Sequence, residues 1–193
     1  MKKIIIKTAI ITFASVIAAL ALAFGIASLA FPRSMAKLCE NMGNYQLAAS
    51  YAERQYGYSG STDDLYRCAR LHIRVGDRKK IIEYCGKLVD KQDFEECCGD
   101  NVQYIYGNYA IALYLSGKDD ESIVIAQRSA GEAFYIPNAY KDLTLKAVEK
   151  KDKEFAGKLL DTFEGYNEKL KSEEQVKYFY AVKTALEKLI DAD

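Results

Sequence analysis

Tryptophan is absent from this chain, histidine occurs once, at His72, and proline twice, at Pro32 and Pro137. With a single imidazole, any His-dependent catalytic or metal constellation has to pass through one position. So few prolines leave no proline-rich linker, and with 50% of its residues hydrophobic the chain is neither disordered nor collagen-like. An excess of one charge is lacking too, since 27 Lys and Arg stand against 27 Asp and Glu. That balance offers no cationic field for a phosphate backbone, so nucleic acid is not an expected partner. There is no Gly-rich phosphate loop, nucleophile elbow or paired acid motif, which removes the usual sequence grounds for an enzyme. No cofactor and no metal are expected.

Charge is missing altogether from Thr8 to Pro32. As a helix these 25 residues would rise about 37 Å, more than the roughly 30 Å of a bilayer's hydrocarbon. Lys2, Lys3 and Lys7 precede the run, whereas Arg33 and Lys37 follow it more sparsely. The positive-inside bias therefore puts residues 1–7 in the cytoplasm, makes residues 8–31 a single-pass signal-anchor in the lipid bilayer of the cell membrane, and leaves the C-terminal domain extracytoplasmic. A cleavable signal peptide is the alternative, with Ser28-Leu29-Ala30 as its cut site, but its apolar core would be far longer than the 7 to 15 residues or so typical of signals. Beyond Arg33 the exported part carries 23 basic and 27 acidic residues, a mildly acidic balance.

In that part a pattern recurs. Gly43, Gly76, Gly117 and Lys151 each stand in a polar turn, at intervals of 33, 41 and 34 residues. Seven positions before these anchors lie Ala36, Ala69, Ala110 and Thr144, and five after them Ala48, Ile81, Ser122 and Ala156. Short side chains on both sides of a tight turn let two helices approach closely, so each unit is predicted to be a helical hairpin. Larger apolar residues flank them, Tyr51, Tyr84, Ile125 and Leu159 on one side and Met35, Cys68, Tyr109 and Leu143 on the other. The long interval implies an insertion at 90–100. Ser172-Glu173-Glu174-Gln175 has the form of a capping box opening a last helix.

The spacing resembles the tetratricopeptide repeat, a helix-turn-helix of about 34 residues. The likeness is clearest over Tyr106–Ala130 and Gly43–Ala52, and weakens where Lys151 replaces the turn glycine. It implies an all-α fold: the transmembrane helix, then an α-solenoid of about four hairpins (32–60, 61–100, 101–136, 137–163), then a linker and a C-terminal capping helix over 164–193. It also implies that the first helix of each hairpin lines a groove. Lys37, Asn41, Tyr66, Arg70, Arg74, Tyr104, Ile111, Tyr114 and Lys141 would line it, a basic and aromatic surface suited to a protein or peptide partner of acidic character. The function so implied is a membrane-anchored scaffold without catalysis. If Arg70 and Arg74 instead pair with neighbouring acids, they are only a solvated helix face.

Five cysteines in an exported domain invite a disulfide. Cys39, Cys68 and Cys85 fall on faces that the repeat register buries, where a free thiol packs like a small apolar residue. Cys97 and Cys98, adjacent and in the insertion, could bond to Cys85 or Cys68, or serve a thiol-redox protein or enzyme, which is the second functional class. Cys68 and His72, four apart on one helix, lack the closely spaced cysteine pair of a zinc site. His72 is expected to be a hydrogen-bonded core or interface residue.

Overall fold

The computed structural model of the chain describes residues 2–131 and 137–192, with side chains from Ile10 onward. The N-terminal lysine side chains and residues 132–136 of the third expected unit lie outside it. The described residues are helical throughout, with no strand.

Helix α1 (Lys2–Ala30) carries the apolar run. Its segment Ile10–Ala30 is long and apolar enough to cross a membrane and is not covered by the rest of the chain. At about 1.5 Å per residue the segment's 21 residues match the hydrocarbon thickness. The helix breaks only at Phe31 (φ −130°, ψ 57°), after which Pro32 at the first position opens α2 (Pro32–Asn41).

The helices that follow are α3 (Tyr45–Ser59), α4 (Thr62–Val75), α5 (Arg78–Val89), the short α6 (Phe94–Cys98), α7 (Val102–Tyr114), α8 (Asp119–Ala130), α9 (Asn138–Lys150), α10 (Lys153–Glu164) and α11 (Glu173–Ile190). Their starts follow from sequence. The side chains of Asn44, Ser61, Asp77 and Asp152 accept backbone N–H bonds at four of them, and Ser172 with Gln175 makes a full capping box at α11. The 90–100 insertion is α6 and a 3-10 turn over Gly99–Asn101.

All four turn anchors share one backbone state. Gly43, Gly76 and Gly117 have φ of 75°, 78° and 72°, and Lys151, the one non-glycine residue with positive φ among those described, has 56°. This left-handed conformation closes each helix so that the chain can reverse. The paired small positions, Ala36 with Ala48, Ala69 with Ile81, Ala110 with Ser122 and Thr144 with Ala156, are all buried.

Consecutive helices pack against each other, α2 on α3, α3 on α4, α4 on α5, α7 on α8 and α10 on α11. Side-chain contacts also fix the sense of the opening helices. Arg33 reaches Asp63 and Glu40 reaches Arg70, so α2 and α4 are parallel. Gly107 approaches Asn138 and Asp142 while Tyr114 bonds Asp152, so α7 and α9 are parallel. At Gly107 that approach is close, since a Cβ there would lie 2.7 Å from Asp142 Oδ2. α11 packs on α9 as well as α10, held by aromatic contacts: Phe163 stacks on Phe179 at 4.7 Å, and the Tyr178 hydroxyl donates to the Pro137 carbonyl.

Candidate functional site

The groove of interest lies between α2 and α4. On α2, Lys37, Glu40 and Asn41 stand three and four residues apart and share a face; on α4, Asp63, Tyr66, Arg67 and Arg70 do the same. With Arg33, Ser34 and Asp64 they line an open cavity of about 690 Å³.

Its electrostatics are organised around one carboxylate. Glu40 accepts from Arg70 Nη2 at 2.7 Å and from Arg67 Nη2 at 3.2 Å, so an acid of the first hairpin is gripped by two guanidiniums of the second. The Nε atoms of both arginines are buried without a hydrogen-bond partner. At the other end Arg33 pairs with Asp63 at 2.9 Å and approaches Asp64 at 3.8 Å. Asp64 is buried; Ser59, Ser61 and Gln55 donate to its Oδ2, while its Oδ1 has no hydrogen bond. Burial pushes its carboxyl up, and those hydrogen bonds with the Arg33 charge outweigh the effect and hold it below the usual value. Lys37 is exposed and forms no ion pair among the described residues, which makes it the groove's available cation.

Of the residues expected on the binding surface, Lys37, Asn41, Tyr66 and Arg70 come together in this cavity. Tyr104, on α7, does not line it; the charges of Arg74 and Arg70 act on its phenol, although burial dominates and raises that group. Arg74 stacks over the Tyr45 ring at 5.1 Å, beside the Met42–Gln46 turn and outside the main cavity. Ile111 is half-buried against the core. Lys141 lines a different groove, between α9 and α11.

Tyr114 is a correction. It is buried, its ring stacked on Phe155 at 4.2 Å, its hydroxyl donating to Asp152 Oδ2 at 2.9 Å and its other face covered by Lys150. It stands at the last position of α7, where the chain reverses, and packs inside the hairpin junction rather than on a groove.

Sequence reasoning left out Arg67 and Glu40. Their partners stand 27 and 30 positions apart, near the repeat period, so searching for opposite charges one unit apart would have found them.

Of the two alternatives for Cys97 and Cys98, a disulfide or free thiols, the structure has the second: all five cysteines are free thiols. Cys85 is buried in the core and Cys97 Sγ lies 4.0 Å from Asp63 Oδ1. Burial first, then nearby acids, raise Cys97, and burial with its neighbour Cys97 pushes Cys98 up to about 12. Cys68, beneath the same hairpin, is pushed up to about 12, chiefly by burial.

His72 is buried, stacked on Tyr84 at 5.2 Å with its Nε2 2.8 Å from Glu53 Oε1. Lys80 reaches the same Glu53 oxygen at 3.1 Å. The trio ties α3, α4 and α5 together, the structural role expected of this histidine.

Comparison with protein-family models and with curated proteins finds no match to this chain.

Proposed function

We propose that the chain is a membrane-anchored extracytoplasmic scaffold of tetratricopeptide-like hairpins that holds a protein or peptide partner in the α2–α4 groove. The single observation that carries this is the groove itself. Two parallel opening helices present Arg33, Lys37, Arg67 and Arg70 around one cavity, with Tyr66 beside them. Arginine and tyrosine are the side chains that dominate binding hot spots, and a partner's carboxylate would meet Lys37, the cation left free while Glu40 holds Arg67 and Arg70 and Asp63 holds Arg33. Support for the solenoid reading comes from the four left-handed anchors and the parallel opening helices.

The anchor supports the location. Ile10–Ala30 can span, and the lysines ahead of it favour a cytoplasmic N-terminus, which exports the groove. Thiol-redox chemistry is disfavoured physically: a nucleophilic cysteine needs a lowered pKa, whereas Cys97 and Cys98 are both raised.

The test is affinity capture from solubilised membranes with the intact chain and its Lys37→Glu and Tyr66→Ala variants. Both variants are expected to melt like the parent and to lose the captured partner. Unchanged capture by both would remove the groove from the account.

A further inference from the structure

A second groove is built on different chemistry. Between α9 and α11 two cavities of about 520 and 470 Å³ follow one another and share Ala185 in their walls. Leu145 and Val148 of α9 and Ala181 and Ala185 of α11 form an aliphatic floor, and Leu145 and Val148 are 53% and 43% exposed despite belonging to well-packed helices. The two helices are parallel here, since the Tyr178 hydroxyl donates to the Pro137 carbonyl at one end and Lys153 donates to the Ala192 carbonyl at the other. The groove therefore runs for the eleven residues from Lys141 to Lys151, about 15 Å or nearly three helical turns.

Its rim is mostly cationic. Lys141 and Lys177 flank one end and Lys151 and Lys188 the other, against a single acid, Glu174. None of the four lysines makes an ion pair among the described residues. An apolar floor with unpaired cations on both edges is complementary to a helix with an aliphatic stripe flanked by acids. A helical occupant suits it better than an extended one, because the walls are helices whose backbone groups are already bonded and a helix satisfies its own.

We propose that the α9–α11 groove docks an acidic amphipathic helix of a partner protein, seating aliphatic residues on Leu145, Val148 and Ala185 while its carboxylates face the four lysines. This site is separate from the α2–α4 groove and does not depend on it.

The probes are two fluorescently labelled synthetic helices of about 14 residues, long enough to fill the groove. Both carry leucine at i, i+3 and i+7; glutamate flanks the stripe in one and lysine in the other. Anisotropy is measured with the full chain in neutral nanodiscs. The glutamate helix is expected to bind, and Leu145→Asn, Val148→Asn and the double variant Lys141→Glu/Lys177→Glu each to weaken it about tenfold or more. Lys37→Glu, in the other groove, should change nothing, which separates failure here from failure there. Circular dichroism melting checks each variant, and the two asparagine variants stand in for one another should either unfold. Equal binding of the lysine helix, no binding of either, indifference to all three variants, displacement of the probe by anionic vesicles, or self-association of the chain abolished by Leu145→Asn would each overturn the proposal.

Discussion

Arg54 Nη1 on α3 donates to the Ser28 carbonyl at 3.0 Å, joining the first hairpin to the last turn of the apolar helix. The carbonyls at a helix end lack partners within the helix and carry partial negative charge, so a guanidinium there is favourable. Arg33, past the Phe31 break, belongs to α2, and its bond to Asp63 ties α2 to α4, so the Arg54 bond is the one that reaches back to the apolar helix itself.

Arg54→Ala is therefore expected to loosen the junction without unfolding the domain. Amide exchange over residues 27–34 should accelerate in nanodiscs, while thermal stability stays within about 0.5 kcal/mol, as for most exposed substitutions. Unchanged exchange would mean that Phe31 and Pro32 alone set the junction.

Lys151 is the one anchor whose side chain opposes its backbone. Left-handed geometry costs a non-glycine residue about 1–2 kcal/mol, part of which glycine gives back as chain entropy, so Lys151→Gly should stabilise by about 0.5–1 kcal/mol in chemical denaturation. Gly117→Ala should act in the opposite sense.

Ala110 is fully buried at the seam between α7 and α8. Ala110→Leu should overpack that seam and destabilise by about 1–3 kcal/mol, read from the denaturation midpoint.

Much of this organisation was legible from spacing alone. The anchors, the paired small residues and the α11 capping box are local signals, and each recurs in the structure where backbone geometry demands it. Tyr114 was misread because a hairpin register assigns a helix face but not the twist at the helix end, where the next hairpin covers the side chain. Pairing of Arg70 with an acid was one of the two alternatives the sequence left open, but Glu40 was not named as that acid because the clasp joins two units. The lysine-rimmed groove depends on α11 lying parallel to α9, which no local pattern specifies.

The thiols give a pH dependence. The native pKa values of Cys68, Cys85, Cys97 and Cys98 are raised, so the folded state keeps these four protonated while the unfolded chain ionises from about pH 8.5. Their contribution to stability is complete below that and lost as pH rises toward about 12, the value for Cys68 and Cys98. Stability should fall progressively above about pH 9, and less so in Cys68→Ala. In the native chain only Cys97, half-buried, should react with a thiol reagent, at a rate still climbing at pH 9.

The most direct measurement of the scaffold reading is site-specific photo-cross-linking in intact membranes. A photoreactive residue is placed at Lys37, in the α2–α4 groove, and in a separate variant at Val124, which is 56% exposed on α8. The account predicts a discrete protein adduct from position 37 that disappears in Tyr66→Ala, and none from position 124. No adduct from position 37, adducts to lipid alone, or the same adduct from both positions would contradict it.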